Sequence, residues 1–295
     1  MALPELMAFI AIIILRGLTK CPSLSDCWSA NLGNPQIIAT MSQNHFKDIM
    51  RHLRFDDRDT RSERTKTDKF AAISAVWSSF VTNCITSYNS GRHITTGEKF
   101  FLSKTRCCFL QYVATKPDKF GIKFWVACDL KSKYICNVLP YLCKDPSRPS
   151  GERLSENVVL RLMEPILDKR KNGTTDNFFT LMSLAQPLLR WKTTILGTVN
   201  KIRWEIPQSS RQRNCNEFTT QVFSTTGAIL TVYAPKWKKK VYVLSSMHSV
   251  VQTESTTKRK PNTITLYNAT KCGVDMMDQM SAQEHGAGQS LCSIT

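Results

Sequence analysis

Apolar positions recur at helical spacing through residues 1 to 90. The run from Leu6 to Leu15 in "MALPELMAFIAIIILRGLTK" predicts a buried helix, with Pro4 near its first turn and Gly17 as its stop. That run is about half the length a membrane span requires. It follows Glu5 rather than a basic segment, and no small-residue cleavage site closes it, so a secretory signal is not expected. A chain that starts at a core helix is expected to be a fragment of something longer. In "SQNHFKDIMRHL", Ser42 is the predicted N-cap, and Phe46, Ile49, Met50 and Leu53 form the apolar stripe. "RFDDRDTRSERTKTD", residues 54 to 68, mixes both signs of charge and reads as an exposed connection. A third helix should follow, capped by Asp68, with Phe70, Ile73, Val76, Trp77 and Phe80 on one stripe.

From "GRHITTGEKFFLS" to about residue 141 the period drops toward two, and "KFWVAC" and "YICNVL", joined through "DLKS", predict strands and a turn. "SENVVLRLMEPILD", 155 to 168, returns to helix and is shortened or kinked at Pro165. "GTTDNFF" leads into a short helix, "LMSLAQPLLR", and "TTILGTV" supplies a strand. Strands interleaved with helices specify an α/β core. Within 191 to 262, "FTTQVFSTTGAILTVYA" and "KVYVLSS" read as antiparallel strands, with Gly227 at one turn and "KWKKK" at the next. This predicts a β-rich insertion. "SAQEHGAGQSLCSIT", residues 281 to 295, has no period and reads as a divergent tail.

An apolar fraction of 42% in 295 residues fits a folded chain with a real core. Lys plus Arg number 40 against 23 acids, a formal charge of +17, which concerns partners rather than fold. Nucleic acid is the expected partner. An acidic membrane surface is not, because no convincing basic amphipathic helix occurs. Residues 191 to 260 carry twelve Lys or Arg against three Glu, more than half of the whole excess. The eleven cysteines contain no C-x-x-C, which favours reduced, mostly buried thiols of an intracellular protein over a zinc module. No G-x-S-x-G and no Gly-rich nucleotide loop is present, so hydrolase and kinase readings lack support. His45 and His52 have no partner at metal-ligand spacing and read as surface or interface residues.

In "KCGVDMMDQM", Asp275 and Asp278 lie three apart and would share a face if a helix opens after Gly273. A helix dipole favours first-turn acids, so a local explanation also exists. Asp176 in "TTDNFF" sits at a strand-to-helix junction, where it or Asn177 would cap, or where a carboxylate would bind metal.

With these blocks in view, the chain resembles the piggyBac-type DDE transposases and their domesticated relatives. "MSQNHFKDIMRHLRFDD", "QYVATKPDKFGIKFWVACD", "TTDNFFT" and "YNATKCGVDMMDQM" carry the likeness, in order, from about residue 6 to residue 280. The resemblance implies an RNase H-like catalytic core (91 to 190 and 263 to 280), preceded by a helical region of dimerisation or DNA-binding type (1 to 90) and interrupted by the basic β-rich insertion (191 to 262). It implies that Asp176, Asp275 and Asp278 are catalytic metal ligands for Mg²⁺ or Mn²⁺, since two ions about 3.5 to 4 Å apart need converging carboxylates. It also implies a nuclear protein that acts on double-stranded DNA, as a homodimer or beside a related transposase. The family's zinc-binding C-terminal domain is expected to be missing.

The family pattern, approximately Ile-Thr-x-Asp-Glu, puts its first aspartate at residue 97, which is glycine here. Glu98 would face the other side of a strand. The expectation is therefore a DNA-binding protein defective in cleavage and strand transfer, or else a non-catalytic self-association protein or a residually active enzyme. Lys104, Arg106, Lys116, Lys119, Lys123, Lys236, Lys238, Lys239 and Lys240 are the expected phosphate contacts. Trp204 and Trp237 could stack on bases, although core or hairpin packing is the favoured reading of both.

Overall fold

The computed structural model describes residues 2–19, 21, 23–103, 107–114, 119–143, 151, 153–212, 215–277 and 279. Asp278, Lys104, Arg106, Lys116 and the segment 281 to 295 lie outside the described residues. The chain divides into two compact units, 1–79 with 100–123 and 277–295, and 80–99 with 124–276.

Helices dominate the first ninety residues: α1 (Leu3–Thr19), α2 (Pro35–Thr40), α3 (Gln43–His52), α4 (Arg58–Thr67) and α5 (Ser74–Thr86). Phe9, Ile12, Ile37 and Phe46 bury one core, with the Phe9 and Phe46 rings 4.9 Å apart. Ser42 caps α3 through His45 N–H, as its position predicts. Three expectations need correction. Gly17 does not stop α1, because it lacks the positive φ of a helix-ending glycine and the helix continues to Thr19, which bonds back to the Leu15 carbonyl. Residues 58 to 67 are helix rather than connection. Apolar periodicity cannot register a helix that buries no side chain, and α4 rests on an Asp57 N-cap instead. Asp56 reinforces it by accepting from Arg61 Nε at 2.9 Å and Arg64 Nη2 at 2.7 Å. The Arg61 hydrogen bond leads in holding Asp56 down at a pKa of about 2, against a smaller burial effect, with Arg64 assisting. Finally, Asp68 caps the turn at Phe70, and α5 begins only at Ser74, leaving Val76 and Phe80 exposed.

The strands are β1 (His93–Leu102), β2 (Gln111–Tyr112), β3 (Phe120–Asp129) and β4 (Ile135–Pro140). Helix α6 (Leu154–Met163) closes with a 3-10 turn at Pro165, then come β5 (Asn172–Thr175), α7 (Met182–Arg190) and β6 (Thr194–Thr198). The chain ends its described fold with β7 (Thr220–Thr225), β8 (Ala228–Lys236), β9 (Lys239–Ser245) and α8 (Asn262–Thr270), and residues 273 to 277 are helical again. In the second unit the strand order is β3-β1-β5-β6-β9-β8-β7, with β4 paired to β3. Strands β1, β5 and β6 run parallel, while β3–β4 and β6–β9–β8–β7 are antiparallel. In the first unit β2 pairs with Phe120 and Gly121 at the start of β3. The order β4-β3-β1-β5-β6 is the arrangement expected of an RNase H-like core, and β7 to β9 extend it. Gly227 makes the β7–β8 turn at φ +84°, a conformation L side chains avoid. Ile94, Leu162, Leu184, Leu188, Ile195 and Leu244 belong to the core of this unit.

Candidate active site

Parallel register brings the first two candidate positions together. Strand β1 pairs with β5 as His93 to Asn172, Ile94 to Gly173 and Thr95 to Thr174. Continued by two residues, this register sets Gly97 level with Asp176, which follows the last residue of β5. Thr95 Oγ1 donates to the Thr270 carbonyl at 2.8 Å, and Thr174 Oγ1 donates to Thr270 Oγ1 at 2.9 Å. One face of both strands thus lies against Thr270 and the helical residues Gly273 and Val274. The approach is close because residue 273 has no side chain. A Cβ on Gly273 would sit 2.5 Å from Thr95 Oγ1, and one on Gly97 would sit 3.1 Å from Val274 Cβ and Cγ1. Glu98 is exposed, whereas Lys99, on the Gly97 face by strand alternation, is buried at 4% exposure.

Asp176 and Asp275 are both exposed. Asp176 Oδ1 accepts from the backbone N–H groups of Phe178 at 2.9 Å and Phe179 at 3.3 Å, so the capping role is realised. Both carboxylates act on one phenol. Burial raises the Tyr267 pKa most, and the negative charges of Asp176 and Asp275 raise it further, against a hydrogen bond with Thr198 that lowers it. Tyr267 Oη lies 3.3 Å from Thr198 Oγ1. Among the described residues, no group of three or more His, Cys, Asp or Glu could hold a metal ion.

Three residues that periodicity passes over shape this region. Arg203 donates to the carbonyls of Thr180 at 2.5 Å, Asn177 at 2.8 Å and Phe178 at 3.1 Å, clamping the loop after Asp176. Burial lowers its pKa, while the charges of Glu205 and Asp176 oppose that shift. Phe178 is 43% exposed and stacks at 5.7 Å on buried Trp125. Lys99 is the third. Its burial is a structural fact that the sequence did not announce, and an ammonium is rarely buried without a counter-charge.

The candidate phosphate contacts are scattered. Lys119 is exposed and Lys123 half-buried in the first unit. In the second, Lys236, Lys238 and Lys239 are exposed at the β8–β9 turn, and half-buried Lys240 donates to the Ser210 carbonyl at 2.9 Å. Trp204 and Trp237 are 79% and 53% exposed, so core packing holds for neither. Lys238 Nζ lies 6.0 Å from the Trp237 ring centre.

A family model described as "Transposase IS4" matches residues 1–290. The human PiggyBac transposable element-derived protein 3 is 23% identical over 309 aligned positions, which cover 93% of this chain and 49% of that protein. The human chimeric ERCC6-PGBD3 protein is also 23% identical, with 27% of its length covered. The chain therefore spans about half or less of the curated relatives it matches. A piggyBac transposase, in a cryo-EM structure of its synaptic complex with hairpin DNA, superposes with a TM-score of 0.89 at 33% identity, over 96% of this chain and 60% of that one. The family model spans nearly the whole chain, and the chain belongs to the Transposase IS4 family as a piggyBac-type member.

Proposed function

We propose that this chain is a transposase-derived, DNA-binding nuclear protein whose strand cleavage and transfer are impaired. The observation that carries the reading is Gly97, which stands level with Asp176 in the β1–β5 register and directs its Cβ position at Val274 instead of offering a carboxylate. Asp176, Asp275 and Asp278 are the retained acids of an ancestral Mg²⁺ or Mn²⁺ site. The described donors do not fit a two-metal centre, which needs converging carboxylates around both ions. Asp176 already caps two amides, and residue 97 brings no oxygen.

DNA as the partner is supported by the +17 charge, by the exposed Lys119, Lys236, Lys238 and Lys239, and by the hairpin DNA named with the structural relative. In this reading residues 1 to 90 are a helical association region. The catalytic core is 91 to 190 with 263 to 280, residues 191 to 262 are the basic insertion, and Lys104, Arg106, Lys116, Lys123 and Lys240 add to the phosphate contacts. The test is strand cleavage and transfer with Mg²⁺ or Mn²⁺ on DNA bearing matched terminal repeats, beside DNA binding across a salt series. Salt-dependent binding without cleavage is expected. Cleavage abolished by Asp176→Ala would overturn the impairment.

One observation favours a second reading, self-association. Leu3, Met7, Ile10, Ile14 and Leu18 form an exposed apolar stripe along α1, at three- and four-residue spacing. Sedimentation of the chain at moderate salt tests it, and a clean monomer would remove it.

A further inference from the structure

We propose that Lys99 is the resident cation of the acidic site at the carboxyl ends of β1 and β5, and that its ammonium excludes the divalent ions from it. The inference rests on the reading of Asp176 and Asp275 as retained site acids.

Three observations carry it. First, Thr95, Gly97 and Lys99 alternate onto one face of β1, and that face meets Gly273 and Val274. Second, Lys99 is 4% exposed in a strand whose next-door acid, Glu98, is exposed on the opposite face. A buried ammonium persists only where opposite charge or acceptors meet it. Third, the β1–β5 register runs to Thr95–Thr174 and, continued by two residues, sets Asp176 level with Gly97, two residues short of Lys99. With a rise of about 3.4 Å per residue and strands about 4.8 Å apart, the Lys99 and Asp176 Cα atoms stand roughly 8 Å apart, within reach of a lysine–carboxylate pair. Asp275 follows Val274, the residue that faces Gly97. The chain thus sets the Lys99 side chain beside acids that would otherwise attract a dication, while a Cβ at residue 97 would press on Val274 at 3.1 Å. Restoring the aspartate alone therefore does not restore the metal site.

The test is Mn²⁺ titration of the full chain, read from the electron paramagnetic resonance of free Mn²⁺. Wild type and Gly97→Asp should leave the signal as in a buffer blank. Lys99→Met should bind Mn²⁺ at least tenfold more tightly than wild type, and Lys99→Met with Asp176→Asn should lose that binding. Asp176-dependent Mn²⁺ binding by wild type or by Gly97→Asp overturns the proposal, as does a folded Lys99→Met that binds no better than wild type. If Lys99→Met alone fails to fold, recovery of cooperative unfolding on adding Asp176→Asn or Mn²⁺ supports the pairing, and no recovery by either overturns it. DNA cleavage is not the readout. An active wild type would sink the impaired-enzyme reading, whereas Mn²⁺ binding decides the role of Lys99.

Discussion

Gly273→Ala isolates the contact that sets how closely the Asp275-bearing helix approaches β1. An added Cβ would lie 2.5 Å from Thr95 Oγ1 and 2.8 Å from Thr95 Cβ. Rotation of χ1 could move the hydroxyl, at the cost of its 2.8 Å bond to the Thr270 carbonyl. The Thr95 Cβ is fixed to the strand and cannot move aside, so the helix must shift. Overpacking of this kind costs about 1–3 kcal/mol, and the rigid neighbour places Gly273 at the upper end. Replacing glycine by alanine in a helix returns at most about 1 kcal/mol. The net loss is about 2 kcal/mol, or a Tm lower by roughly 3 °C for a chain of this size. Gly17→Ala is the internal control. It makes the same change in a helix where nothing lies within 4 Å, and it should hold or raise the Tm. Thermal unfolding by circular dichroism reads both variants. A Gly273→Ala protein as stable as Gly17→Ala would refute the close approach, and with it the placement of Asp275 beside the Asp176 end of β5.

Three further outcomes follow from other contacts. Asp129, 1% exposed, accepts from the N–H groups of Gly91 at 2.5 Å, Lys131 at 2.8 Å and Ser132 at 2.9 Å. Asp129→Asn turns one acceptor into a donor facing these amides and should cost about 1–3 kcal/mol by urea unfolding at neutral pH. Burial, the largest single influence, raises the Asp129 pKa, but the hydrogen bonds from Ser132, Gly91 and Lys131 together bring it below the usual 3.8. Its contribution is therefore complete above pH 3.8 and is lost as pH falls through the lowered value. Asp56, with a pKa of about 2, follows the same sign, and carboxyl NMR should find its titration moved to higher pH in Arg61→Ala, with Arg64 still holding part of the shift. Trp237→Ala removes a 53% exposed ring, so it should leave the Tm unchanged and weaken single-stranded DNA binding by about 1–3 kcal/mol if bases stack there, with equal affinity ruling out that role.

Local pattern was enough for most elements. Ser42 before a stripe predicted α3, the drop to period two predicted β1, β3 and β4, and Pro165 predicted the end of α6, because each signal lies within one or two turns of chain. Helix α4 escaped because its stability comes from Asp57 capping and the Asp56–Arg61–Arg64 pairs, with no buried side chain to produce a period. The glycine at 97 and the spacing of Asp275 and Asp278 were visible as letters, and a family resemblance turned them into a metal-site expectation. What sequence could not supply was the register that, continued past Thr95 and Thr174, sets Gly97 level with Asp176, or the contact of Val274 against that glycine. It could not show that Lys99 is buried while Glu98 and both tryptophans of the insertion are exposed. Those facts arise where β1, β5 and residues 262 to 277 meet, and chain segments up to 175 residues apart, such as Thr95 and Thr270, acquire their distances only when the sheet and its helices pack.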